Sequence, residues 1–355
     1  MPVWTWLIPA AAVAFLSLAA ALGVGTLLAI VCALALIGAV IAAVHHAEVV
    51  AHKVGEPFGT LVLAVAVTVI EASLILSMML AGGTDKSTLP RDTLFSALMI
   101  ICNGVVGICI LVGGIHHREQ TFRVEGAGPG LAALMAMATL CLVLPSFTTS
   151  TPSGSYTASQ LAFAAAASLA LWGVFIFVQT VRHRDYFLPA VDAANPEVHA
   201  VPPTTLVAWA SFALLVVSLV AVVGLAKMLS PTIERAVAAV GAPPTVIGIA
   251  IAMLVLLPET WAAVRAARAD RLQTSMNLAL GSALASIGLT IPVVALASIS
   301  LGIPLELGLE AKDLVLLALT FAVGTITLGT GRTSIMQGAV QLVIFAAFLF
   351  LALVP

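Results

Sequence analysis

Two glutamates, Glu71 and Glu259, differ from the other acidic residues because each lies deep inside a long apolar run. Glu71 lies near the middle of GTLVLAVAVTVIEASLILSMMLAGG, and Glu259 lies in PPTVIGIAIAMLVLLPETWAAVRAARADR. A carboxylate in the hydrocarbon of a bilayer costs several kcal/mol, and no Lys or Arg lies at that depth to pair with either one. The two acids therefore indicate a site for protons or cations inside a membrane.

The composition supports a membrane location. Hydrophobic residues make up 61% of the chain and charged residues 8%, whereas soluble domains have about 25% charged residues. We therefore predict an all-α polytopic membrane protein whose partners are the lipid bilayer and small inorganic cations. The net charge of −2 is spread over short loops and forms no basic patch, so no nucleic acid partner is expected. The four cysteines lie in apolar runs and indicate neither a disulfide framework nor a metal site.

Eleven apolar runs are long enough to span a bilayer, which takes about 20 residues. They cover residues 4–22, 25–44, 57–81, 93–115, 130–147, 159–181, 206–228, 244–264, 275–300, 313–330 and 335–354. A proline-containing and charged segment, 182–204, is predicted to be a cytoplasmic linker between a first membrane half (23–181) and a second (205–355).

Basic residues predict the orientation of these spans. If the loops alternate between the two faces, the face of the N-terminus carries nine of the fourteen Lys and Arg residues. Cytoplasmic loops are enriched in Lys and Arg, so we expect a cytoplasmic N-terminus and an external C-terminus. All seven histidines fall on the cytoplasmic side, and no predicted span contains a histidine.

The two acids have matching surroundings. Glu71 is followed after 25 residues by Ser96 in LFSAL, and Glu259 is followed after 23 residues by Ser282 in LGSAL. The two segments, about 55–115 and 243–300, enter the membrane from opposite faces. Inverted repeats of this kind place their functional residues near the midplane, so we expect the two carboxylates to converge there.

Two carboxylates in a low-dielectric site repel each other and favour protonation, and a cation can displace their protons. Calcium takes six to eight oxygen ligands, so further oxygens are needed. Pro258 has no N–H group, so it kinks its helix and frees the Leu254 carbonyl. The candidate side-chain ligands are Thr68, Ser96, Asn103 and Ser282. The alternatives are local hydroxyl bonds, a helix–helix contact for Asn103, a packing bend at Pro258 and protonated structural acids.

A second group of residues lies at the predicted cytoplasmic interface and suggests ion entry or pH sensing, because histidine titrates in the physiological range. The alternative is an amphipathic membrane surface. The residues are Glu56, His45, His46, His116 and His117.

Three sequence segments resemble those of the bacterial calcium/cation–proton antiporters of the ChaA type, within the calcium:cation antiporter superfamily. They are AHKVGEPFGTLVLAVAVTVIEASLILSMML, LPETWAAVRAARADRLQTSMNLALGSALASIGLTIPV and GTGRTSIMQGAVQLVIFAAFLFLALVP. The resemblance implies a ten-helix core of two inverted five-helix repeats, with one extra N-terminal helix at 1–22. It also implies that Glu71 and Glu259 match the acids of the signature repeats.

The resemblance implies an inner-membrane antiporter that exports Ca²⁺ against protons, with no enzymatic activity and no cofactor. The wider superfamily has a Gly-Asn pair before each acid, whereas this chain has Val67-Thr68 and Val255-Leu256. Na⁺ or K⁺ as the transported ion is therefore an alternative. An ion channel and an intramembrane hydrolase are distant alternatives, and both a monomer and a homo-oligomer are compatible with the sequence.

Overall fold

The protein is helical over nearly all of the residues described by its structure, a computed structural model. These are residues 2–55, 58–82, 86–187, 203–239, 241, 243 and 245–354. The α-helices are α1 (Trp4–Leu22), α2 (Thr26–Val54), α3 (Phe58–Gly82), α4 (Leu89–Met99), α5 (Val106–His117), α6 (Val124–Ala138), α7 (Ala158–Phe177), α8 (Thr205–Ala239), α9 (Thr245–Arg268), α10 (Leu272–Leu301), α11 (Ala311–Gly329) and α12 (Ile335–Leu353). Two short strands, β1 (Glu119–Thr121) and β2 (Arg332–Ser334), pair antiparallel.

The predicted all-helical, multi-pass architecture is confirmed. Ten helical segments of the described chain are long and apolar enough to cross a membrane. The remaining predicted span, 57–81, corresponds to helix α3, whose apolar segment Val65–Leu80 is shorter than the other ten. Three spans contain π-helical turns that hydropathy alone does not reveal: Ile100–Val105 joins α4 to α5, Thr139–Val143 follows α6, and Val178–Arg182 follows α7.

Helix α2 is ten residues longer than the predicted span 25–44, and it contains His45, His46 and His52. The three histidines lie in the helical extension beyond the predicted span, so the prediction that no span contains a histidine remains a prediction. The helix continues past the apolar run because HHAEVVAHKV contains neither glycine nor proline. It ends at Gly55, whose φ of 78° is a conformation that glycine adopts at no steric cost.

Helix α8 also exceeds its predicted end at residue 228, because Pro231 does not break it. The ordinary proline penalty comes from a lost backbone hydrogen bond and a clash with the preceding turn. Two side-chain hydrogen bonds flank Pro231 within the continuous helix. The Arg235 guanidinium donates to the Pro231 carbonyl at 3.0 Å, and the Ser230 hydroxyl donates to Glu234 at 2.8 Å.

The chain forms two compact units, which we call unit 1 (Met1–Leu89 with His199–Val255) and unit 2 (Pro90–Val198 with Leu256–Pro355). Each unit takes helices from both predicted halves, 23–181 and 205–355. The compact units thus do not coincide with those halves, and the repeat remains a prediction from sequence. Helix α9 is divided between the units, after Val255.

In unit 1, α2 and α8 pack against each other and against α1 and α3. Small residues allow α1 to approach closely. A Cβ atom on Gly224 of α8 would lie 2.4 Å from the Leu16 side chain, and one on Gly38 of α2 would lie 3.1 Å from Ile8. Close approach of this kind is typical of helix packing in lipid, where small residues increase van der Waals contact.

In unit 2, α5 packs against α12 in the same way. A Cβ atom on Gly338 would lie 2.6 Å from the backbone nitrogen of Leu111, and one on Gly107 would lie 3.2 Å from the Cβ of Gln341. Helix α10 packs against α7, α6 and α5, and α11 packs against α6 and α12. Helices α10 and α6 thus each contact several other helices of unit 2.

The loops of unit 2 pair as the alternating topology requires. Strand β1, which follows α5, pairs with β2, which precedes α12, and alternation places both on the face of the N-terminus. At the other face, Ser155 forms a β-bridge with Glu306, and Arg91 donates to the Gly308 carbonyl at 3.2 Å. The contacts agree with the up-and-down order of the predicted spans.

Candidate functional site

Glu71 lies in the second half of α3 and is 4% exposed. Thr68 is equally buried and precedes Glu71 by three residues, so the two side chains share a face of the helix. Neighbouring Ile70 and Leu74 belong to the apolar core of unit 1. The carboxyl group is thus held inside the protein.

Glu259 lies in α9, directly after Pro258. Its side chain is half-buried, and its Oε2 atom is shielded from solvent. The helix remains continuous through Pro258, and the Thr260 hydroxyl donates to the Leu256 carbonyl at 2.7 Å. Since proline has no N–H, the Leu254 carbonyl loses its usual helical donor. Its predicted role as a ligand remains a prediction.

Two side chains from the α5–β1 segment hold the C-terminus of α9. The Gln120 amide donates to the Ala267 carbonyl at 3.0 Å and to the Asp270 carboxylate at 2.8 Å. The His117 Nε2 atom lies 3.0 Å from the Arg268 carbonyl. The last carbonyls of a helix lack the regular intrahelical donor, so these side chains add donors there; the Ala267 carbonyl also accepts from the Asp270 N–H at 3.2 Å. They fix the end of the helix that carries Glu259.

Gly113 makes room for this anchor, because a Cβ atom there would lie 1.7 Å from Gln120 Oε1. We expect Gly113→Ala to displace Gln120, to lower the free energy of unfolding by about 1–3 kcal/mol, and to slow transport. Unfolding in detergent and initial transport rates in proteoliposomes measure both effects. The matched control is Gly173→Ala in α7, where an added Cβ atom has open space. Equal behaviour of the two variants would contradict the anchoring role.

Ser96 and Asn103, two predicted ligands in unit 2, have protein partners. The Ser96 hydroxyl donates to the Asp92 carbonyl at 2.5 Å, and the Asn103 amide nitrogen donates to Thr320 Oγ1 at 2.9 Å. Both side chains are buried. These bonds match the local and helix–helix alternatives from the sequence. They use donor hydrogens, so the lone pairs of both oxygens remain compatible with the predicted ligand role.

Ser282 is half-buried in α10, and sequence reasoning missed two hydroxyls on the same helix. Ser286 and Thr290 follow Ser282 by four and eight residues, and both are buried. Residues at this spacing share one helix face. The four-residue spacing of these three hydroxyl side chains in the sequence was a signal that could have identified them.

The histidines of α2 contact the start of α1. His46 is fully buried, its Nε2 atom lies 2.7 Å from the Thr5 carbonyl, and the His45 ring centre lies 4.9 Å from that of Trp4. His116 is exposed, and its Nδ1 lies 2.8 Å from the carbonyl of Val112 on its own helix. The contacts give these histidines structural partners, and pH sensing remains a prediction.

The predicted site residues divide between the two compact units. Unit 1 contains Thr68, Glu71 and Leu254, and unit 2 contains Ser96, Asn103, Pro258, Glu259 and Ser282. Convergence of the two glutamates therefore remains a prediction from the sequence repeat. Glu56 and most of the linker 182–204 lie outside the described residues.

Among the described residues, no group of three or more His, Cys, Asp or Glu side chains could hold a metal ion. A cation site in this part of the chain would thus have at most two carboxylate ligands, and neutral oxygens would supply its other ligands. Hydroxyl and carbonyl groups are suitable, because hard cations take oxygen ligands of both kinds.

Ten helical segments of the described chain that are long enough to cross a membrane, together with the apolar helix α3, define a polytopic membrane protein, and two acids lie within its apolar runs. The family described as sodium/calcium exchanger protein matches residues 24–181 and 210–354. The chain belongs to this family. Helix α1 lies outside the matched residues.

Two curated relatives cover most of the chain. The putative ionic transporter y4hA of Sinorhizobium fredii (strain NBRC 101917 / NGR234) is 49% identical, over 100% of this chain and 97% of its own. The sodium-potassium/proton antiporter ChaA of Escherichia coli (strain K12) is 36% identical, over 89% of this chain and 87% of its own.

The crystal structure of the H⁺/Ca²⁺ exchanger CAX has a similar fold. Its TM-score is 0.73, and the match covers 98% of this chain and 87% of that chain. The sequence identity is 15%, so the similarity shows the shared fold.

Proposed function

We propose that this protein is a secondary cation/proton antiporter of a bacterial plasma membrane, with its N-terminus in the cytoplasm. The observation that carries the proposal is the nearly complete burial of Glu71 in a spanning helix, in a sequence context that recurs around Glu259. An ionisable residue at membrane depth indicates an ion or proton pathway. The excess of Lys and Arg on the N-terminal face supports the orientation.

Exchange follows from the instability of a bare carboxylate in a low-dielectric site. Each glutamate is neutral when protonated, and an arriving cation can replace the proton without leaving an uncovered charge. The empty, ionised state is costly. The protein therefore changes the face to which the site is open mainly when the site holds a cation or protons. Only the O–H bonds of the two carboxyl groups form and break, so the proposed cycle includes neither an enzymatic step nor a cofactor.

Na⁺ and K⁺ are the transported ions that we favour. The E. coli relative is named a sodium-potassium/proton antiporter. Val67-Thr68 and Val255-Leu256 precede the two acids and contribute no amide side chain to a calcium shell. Ca²⁺ is the second candidate, because a carboxylate pair matches its charge and it accepts neutral oxygens.

Reconstituted proteoliposomes with a trapped pH dye and an acidic interior test the function. Na⁺, K⁺ and Ca²⁺ are added separately outside, across a series of pH values. We expect Na⁺ and K⁺ to drive protons out and restore the dye signal, with saturation at high cation concentration. If none of the three ions moves protons, the proposal is wrong. A response to Ca²⁺ alone would make calcium the transported ion.

A further inference from the structure

Unit 2 contains a small cavity at the meeting point of six helical elements. Its volume is about 10 Å³, and its wall includes Leu131 of α6, Leu280 of α10 and Phe321 of α11. The lining also includes three polar side chains: Cys102 of the π-helical turn, Thr320 of α11 and Gln341 of α12. A cavity needs about 10–15 Å³ to hold one water molecule, so this one is just large enough.

The Gln341 side chain is the least satisfied polar group of this wall. Gln341 is 2% exposed, and its buried Oε1 atom has no hydrogen-bond donor among the described residues. A buried acceptor without a donor costs about 1–3 kcal/mol in measured cases, so most such groups bind a protein group or an ordered water. The absence of a Cβ atom at Gly107 lets α12 bring this amide close to α5.

Thr320 offers a second contact on the same wall. Its hydroxyl accepts from the Asn103 amide at 2.9 Å and lies 3.4 Å from Met99 Sδ as a donor. A hydroxyl oxygen accepts two hydrogen bonds, so one lone pair of Thr320 is still available. Two acceptors that line one cavity match the two hydrogens of a single water molecule.

We infer that this cavity binds one water molecule, which donates hydrogen bonds to Gln341 Oε1 and Thr320 Oγ1. The ligand is water rather than a metal ion, because the described lining supplies two side-chain oxygens and no carboxylate. Calcium requires six to eight oxygen ligands. The bound water joins α11 and α12 and lies beside the π-helical turn Ile100–Val105.

Cys102 is a native reporter of this water. In a variant with Cys32, Cys109 and Cys141 replaced by alanine, the infrared S–H band comes from Cys102 alone. We expect this band to disappear in D₂O as the cavity water delivers deuterons. A matched protein that keeps only Cys109, which is fully buried and does not line the cavity, should retain its band under the same conditions.

Gln341→Leu provides the second readout, because it keeps the side-chain volume and removes the acceptor. The Cys102 band should then persist in D₂O. A high-resolution map of the unmodified protein should show one density peak within hydrogen-bond distance of Gln341 and Thr320. Equal exchange of Cys102 and Cys109, or an empty map at this position, would overturn the inference. A peak with five or more oxygen neighbours that depends on Na⁺ would also overturn it, since the ligand would then be an ion.

Discussion

Replacing Glu71 or Glu259 with glutamine is expected to abolish cation-driven proton movement while the protein remains folded. Glutamine keeps the size of the side chain and can still donate and accept hydrogen bonds. It cannot take up or release a proton, and it brings no negative charge to a cation. The dye assay in proteoliposomes measures the loss, and gel filtration in detergent measures folding.

Glu119→Gln is the matched control for these variants. Glu119 lies in β1 and is exposed, so the same chemical change there should leave exchange intact. Retained exchange in either Glu71→Gln or Glu259→Gln would refute the role assigned to that carboxylate. Loss of exchange in all three variants would point to a general effect of charge rather than to the two acids.

Arg91→Met is expected to lower the free energy of unfolding by about 3–5 kcal/mol, the usual cost of breaking a buried ion pair. Arg91 Nε lies 2.9 Å from Asp92 Oδ1, and both side chains are 10% exposed. The guanidinium also donates to the Gly308 carbonyl, so it joins α4 to the segment before α11. The substitution removes the guanidinium from this buried pair. Equilibrium unfolding in mixed detergent micelles measures the change.

Lys86→Met is the matched control, since it also removes a cation from an ion pair. Lys86 Nζ lies 2.9 Å from Glu234 Oε1, but the Glu234 side chain is 38% exposed. Water can replace the lysine there, so we expect a loss of about 0–1 kcal/mol. Similar losses in both variants would show that burial does not set the strength of the Arg91 pair.

The spanning helices could be predicted because their signal is local. Twenty apolar residues in a row exclude most other structures, and charged loops separate the runs. The end of α2 could not be predicted in this way, because half of its last ten residues are polar although the segment is helical. The helix end depends on Gly55 and on contacts with α1, such as the one between His46 and Thr5.

The candidate site was predictable only in part. The depth of Glu71 in its run predicts burial, and the structure places the side chain inside unit 1. The partner of Asn103 was not predictable, because Thr320 is 217 residues away in sequence. The same holds for Gln120 at the end of α9, which depends on how β1 meets that helix. Contacts of this kind follow from tertiary packing and leave no periodic signal.

The central claim is that protons and cation compete for the same two carboxylates. Titration calorimetry of the purified protein with Na⁺, K⁺ or Ca²⁺, in two buffers of different ionisation enthalpy, counts the protons released per bound cation. Because carboxylate ligands bind metal in their deprotonated form, we expect about one or two protons to be released per bound cation. Fewer protons should be released in Glu71→Gln and Glu259→Gln. Cation affinity should also fall as the pH falls. Cation binding with no proton release and no dependence on pH would contradict the account.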